Sequence, residues 1–120
     1  MKRVVRAILI SVLIFGQCEL GFAQEMSIKD QISIHAFQYN QAIIAHNYSK
    51  AIEHQFAIAM LHAQDYGQDH IKYAIALGKL ARLYSHIGDI EQAREYNRQA
   101  ISIMEAGGHQ KDKNYISMIE

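Results

Sequence analysis

The chain has 120 residues, half of them hydrophobic, so it can hold at most one small domain. Lys plus Arg and Asp plus Glu balance at 12 each with no basic block, which leaves no electrostatic case for a nucleic-acid partner. A single cysteine, Cys18, excludes a disulfide framework and a thiolate metal cage.

The first residues read as an address. Lys2, Arg3 and Arg6 precede the uncharged run Ala7 to Gly16, which carries Ile8, Leu9, Ile10, Val12, Leu13, Ile14 and Phe15. A polar stretch follows, and Gly21 and Ala23 flank Phe22 as small residues do at a secretory cleavage site. Residues 1–23 are therefore expected to be a signal peptide, with a mature chain from Gln24 in the periplasm or outside the cell. Gln17 and Glu19 interrupt the run before the about 20 apolar residues that a bilayer span needs. Cys18 leaves a lipid anchor as the alternative, although Gln17 stands where that signal calls for a small residue. Without residues 1–23 the chain keeps 9 basic and 11 acidic side chains and no cysteine.

From Ser27 onward the apolar spacing is helical, and the expected fold is all-α. Segments near 28–46, 48–66, 70–87 and 90–106 are expected, with a fifth starting near Lys113. Ser27, Asn47, Asp69 and Asp89 are the expected N-caps, and Gly67, Gly88 and Gly107-Gly108 the stops. Gly88-Asp89 is the sharpest of these signals, because the glycine can take the left-handed conformation that ends one helix while Asp89 caps the next. Gln92 is placed to complete a capping box. So short a link predicts an antiparallel hairpin.

At about 100° per residue, Leu77, Leu80, Ala81 and Tyr84 share one face of the third segment, and Ala93, Tyr96, Ala100 and Ile103 one face of the fourth. Small side chains on facing helices let the axes approach while Leu and Tyr fill the flanks. The hairpin recurs. "NYSKAIEH" at 47–54 lies over "DIEQAREY" at 89–96, with Ala51 over Ala93 at a spacing of 42 residues; Ala59 over Ala100 and Gly67 over Gly108 follow at 41. Tyr73 lies over Tyr115. Repetition at this length predicts a solenoid.

The series Leu77, Leu80-Ala81, Tyr84, Gly88-Asp89, Ala93, Tyr96 and Ala100-Ile101 resembles a tetratricopeptide repeat. Tyr48, Ala51, Ile52 and Glu53 match a first unit more weakly. The family's closing proline is missing and the period exceeds the usual 34 residues, departures that long helices would explain. Units of the HEAT or armadillo kind have a period closer to 42 but call for neither the Gly-Asp link nor the paired alanines. The resemblance implies a first hairpin over 27–66, a second over 69–107, and the start of a third unit or a capping helix over 111–120. It implies a non-catalytic protein- or peptide-binding adaptor without cofactor.

Reaction chemistry finds little footing. No Gly-x-Ser-x-Gly elbow or phosphate-cradling loop occurs. Asp65 and Asp69 flank Gly67 as cap and loop residues. His46, His54, His62 and His70 recur every eight residues, which spreads them around a helix instead of aiming them at one metal. On the third segment Lys72, Lys79, Arg82 and His86 fall on one arc away from the Leu–Ala face. The resemblance places that side on a concave groove, so Lys72, Ile75, Lys79, Arg82 and His86 are the candidate contacts for an acidic peptide. Glu91, Arg94, Glu95 and Arg98 read as a solvated face of i,i+3 pairs. Two units bury a limited core, so self-association through the solenoid ends is also expected. The alternatives are the sensory N-terminal part of a longer signal-transducing protein, and a small helical-bundle metal binder or enzyme.

Overall fold

The computed structural model describes residues 26–119. The expected signal peptide and Cys18 lie outside the described residues. Within them the regular elements are five helices: α1 Ile28–Ile44, α2 Tyr48–Tyr66, α3 Ile71–His86, α4 Ile90–Ala106 and α5 Lys113–Ile119. Each packs on its chain neighbour as in a stack of hairpins, α3 and α4 most closely, and α5 rests on both α4 and α3. None of the described helices is long and apolar enough to cross a membrane.

One turn design is used three times. After α1, His46 takes φ 56° and Asn47 N–H reaches back to Ala42 O at 2.8 Å, while His46 N–H bonds Ile43 O. After α3, Gly88 takes φ 88° and Asp89 N–H bonds Tyr84 O at 2.9 Å. After α4, Gly108 takes φ 75° and His109 N–H bonds Met104 O at 2.8 Å. Each is a left-handed helix stop whose crossed bonds satisfy the last carbonyls.

In the first two turns the residue that closes the old helix also caps the new one. Asn47 Oδ1 accepts from Lys50 N–H at 3.2 Å, and Asp89 Oδ1 from Gln92 N–H at 3.2 Å. With no spare residue between stop and start, the chain folds straight back. Two expectations need correcting here. The N-cap of α3 is His70, whose Nδ1 accepts from Lys72 N–H at 3.1 Å, so Asp69 lies one residue too early. Asp89 N–H is taken by Tyr84 O, so the capping box with Gln92 is only half made.

The alanine seam is where the sequence places it. Ala81, Ala93 and Ala100 are buried, and Leu77, Leu80, Ala100 and Met104 form one core cluster with Ala59, Ala74 and Ala76. Tyr84 and Tyr96 stack beside it with centroids 5.6 Å apart, filling the groove that the small residues leave. A smaller cluster of Ala42, Ala51 and Leu83, flanked by Tyr39 and Ile43, joins α1 to α2 and α3. The long period also has its cause: α1 to α4 run 16 to 19 residues each.

Two contacts join helices across the hairpin boundaries. Gly78 lies in the middle of α3, where the Met118 methyl of α5 occupies the space a Cβ would take, so a larger residue there would make that flexible side chain shift. Gln55 is buried on α2 and its Nε2 donates to Ala76 O of α3 at 3.2 Å, a polar link between adjoining units. A mid-helix glycine is a readable signal of close approach; a lone glutamine on an apolar face is not.

Candidate functional site

α1 and α3 lie on the same side of α2, and a groove runs between them. Its deeper part is a cavity of about 320 Å³, with Ile32, Ala36, Tyr39 and Asn40 on the α1 wall. Gln55, Ile58 and His62 of α2 form the floor, and Lys72, Ile75, Ala76 and Lys79 the α3 wall. A second cavity of about 290 Å³ adjoins it, lined by Tyr39, Tyr48, Lys79, Arg82, Leu83 and His86. Tyr39 and Lys79 belong to both, so the two form one groove along α3.

All five candidate residues of the sequence reading, Lys72, Ile75, Lys79, Arg82 and His86, stand along this groove. They are not equivalent. Lys72 is drawn to one end, where its Nζ donates to Tyr66 Oη at 2.9 Å and lies 4.4 Å from that ring's centroid. Tyr66 in turn stacks on His70 at 4.6 Å. Arg82 Nη2 donates to Ser117 Oγ of α5 at 2.9 Å, which occupies one of its five donors and leaves the others free. His86 packs its ring on Tyr48, with centroids 4.4 Å apart. Ile75 is half-buried and supplies apolar wall. Lys79 is exposed at the midpoint and has no ionic partner among the described residues.

The lining carries Lys72, Lys79 and Arg82 and no carboxylate. In a chain with equal numbers of acidic and basic groups this is a local segregation of charge. His62 feels it. Burial, then the Lys72 cation, hold its imidazole below the ordinary histidine range, and its Nδ1 is cut off from solvent without a hydrogen-bond partner.

The other histidines scatter among structural roles. His46 makes a turn and His70 a cap, but His54 meets His35 of α1 with the two Nδ1 atoms 3.1 Å apart and centroids 5.3 Å apart. The nitrogens point at each other nearly head-on, as in one N–H···N bond between helices. This contact was invisible to the spacing of His46, His54, His62 and His70, because His35 lies outside that series. Among the described residues no three His, Cys, Asp or Glu side chains come together as metal ligands would. On α4, Arg98 forms a bidentate pair with Glu95 at 2.8 and 3.2 Å, and no such pair links Glu91 to Arg94.

Stacked antiparallel helical hairpins with an open groove on one side define a helical-repeat scaffold. A family description, tetratricopeptide repeat, matches residues 38–106, and the chain belongs to that family. Tetratricopeptide repeats serve as modules for binding other proteins. No curated protein and no solved structure matches the chain.

Proposed function

We propose that the chain is an exported, non-catalytic adaptor that holds an acidic segment of a partner protein in the groove between α1 and α3. One observation carries this reading: the groove walls present Lys72, Lys79 and Arg82 with no carboxylate among them. Cations beside half-buried Ile32, Ile75 and Tyr39 suit a peptide that alternates carboxylates with apolar side chains. The unpaired ammonium of Lys79 and the spare donors of Arg82 are the contacts available to its acidic groups. Export is supported by the basic start, the apolar run and the small residues before Gln24.

Titration of the protein with a fluorescein-labelled peptide of alternating Glu and Leu tests the groove. Binding is expected to weaken as salt rises, and to fall at least tenfold in the Lys79→Glu, Arg82→Glu double variant. Unchanged affinity in that variant defeats the proposal. Mass determination of the chain recovered from an exporting bacterium tests the address, with a start at Gln24 expected.

A further inference from the structure

The floor of the α1–α3 groove holds an atom whose burial brings the fold no return. His62 lines the deeper cavity, and its Nδ1 is the one side-chain nitrogen or oxygen among the described residues that is closed off from solvent without a hydrogen-bond partner. Buried polar atoms are normally paired, so an orphan in the wall of a cavity points to a task performed with something outside the chain. The other histidines that precede α4 are occupied: His35 meets His54, His46 turns the chain, His70 Nδ1 caps α3 and His86 packs on Tyr48.

The surroundings of His62 are cationic on one side and uncharged on the other. From α3, Lys72 and Lys79 line the same cavity, and His70 acts on the ring from the start of that helix. On α2 itself Asp65 and Tyr66 follow one turn later. The α1 wall offers Ile32, Ala36, Tyr39 and Asn40, of which only the Tyr39 phenol is titratable. Burial first, and then the Lys72 cation, keep the imidazole neutral near pH 7 in the free chain.

An acidic segment seated on Lys72 and Lys79 changes that balance. Its carboxylates cancel the lysine field and add an attraction of their own for an imidazolium, two effects of one sign acting inside a half-enclosed cavity. Deeper burial under the ligand works against a charged ring, but a cation buried beside its counter-ion is the paired arrangement that burial tolerates. We propose that the groove takes up a proton at His62 as it takes its acidic segment, so that capture tightens as the surroundings become more acidic. This rests on the groove being the peptide site and adds the direction in which pH controls it. A ligand that strengthens a group's hold on a proton binds more tightly where that proton is available. The gain builds as pH falls from the value at which the bound form protonates to the lower value of the free chain. It ends where the peptide's own glutamates, at about 4.3, begin to lose their charge.

Histidine Cε1–H signals followed by NMR from pH 8 to 5.5, in the protein alone and with saturating unlabelled Glu-Leu peptide, test the coupling, with His62→Gln assigning the signal. The His62 midpoint is expected to rise on binding by about one pH unit, and affinity measured by calorimetry to increase roughly threefold to tenfold between pH 8 and pH 6. Calorimetry in two buffers of different protonation enthalpy should show net proton uptake near pH 6.5. In His62→Gln both the gain and the uptake should shrink to what the other groove histidines supply. A His62 midpoint that stays in place while the peptide binds overturns the proposal and leaves the groove standing, and so does a pH gain that persists undiminished in His62→Gln. A peptide that binds at no pH between 8 and 6 removes the groove reading and the proton uptake with it.

Discussion

The two hairpins share a turn design and differ in how much of themselves they bury. α3 has seven buried residues, Ala74, Ala76, Leu77, Gly78, Leu80, Ala81 and Leu83, whereas α1 has only Ala42. The reason is position in the stack. α3 packs on α2, α4 and α5, while among the described residues α1 packs on α2, with Leu83 of α3 at the edge of that contact. Equal repeats thus acquire unequal stability from their neighbours, as expected of a quasi-one-dimensional solenoid. The same asymmetry puts the groove between a firm wall, α3, and a looser one, α1.

The sharpest attempt to break this comparison is truncation of one apolar core-facing side chain on each side, fully buried in α3 and half-buried in α1. Leu80→Ala should cost about 2–5 kcal/mol, and Ile32→Ala, at a half-buried site, roughly 1 kcal/mol; urea unfolding followed by circular dichroism reads both. Equal losses would mean that α1 is as firmly held as α3. Next comes overpacking of the close seam, where Ala93→Leu should destabilise by roughly 1–3 kcal/mol because Ala93 is buried against α3.

The turns sharpen the comparison from another side. His46 and Gly88 occupy equivalent left-handed positions, 42 residues apart. Gly88→Ala should cost about 1 kcal/mol, and His46→Gly should raise stability by somewhat less than that amount, opposite signs at matched sites. Thermal melts of the two variants decide it, and a loss in His46→Gly would show that the imidazole contributes more than its backbone costs.

The smallest expected effect is a pH dependence seated in the groove floor. Since His62 titrates lower in the folded chain than unfolded, the unfolded state binds the extra proton first as pH falls. Its contribution to stability is complete above the unfolded value near 6.5 and is lost as pH drops through the lowered folded value. His62→Gln should flatten this part of the acid limb in unfolding curves measured from pH 7 to 5, and an unaltered limb would assign it to other groups.

Much of this fold was legible from local chemistry. Asn47 and Asp89 announce helix starts by their side chains, Gly88 and Gly108 announce stops by their freedom at positive φ, and Ala93 with Ala100 announces a close seam by size. His46 did not announce itself, since a left-handed histidine is recognised only once its glycine counterpart is aligned with it. Asp69 misled because it and His70 are both able to cap, and only the path of the backbone into α3 chooses between them.

What the amino-acid order determined by itself was the set of helices, their stops and the small residues along their contact faces, because each depends on groups within a few positions along the chain. What only the tertiary structure decided was which surfaces meet: Met118 in the notch at Gly78, Gln55 on the Ala76 carbonyl, His35 against His54, and the carboxylate-free groove between α1 and α3. These contacts join residues 19 to 40 positions apart. Their geometry follows from how the helices lie against one another, a quantity that no local window of sequence contains.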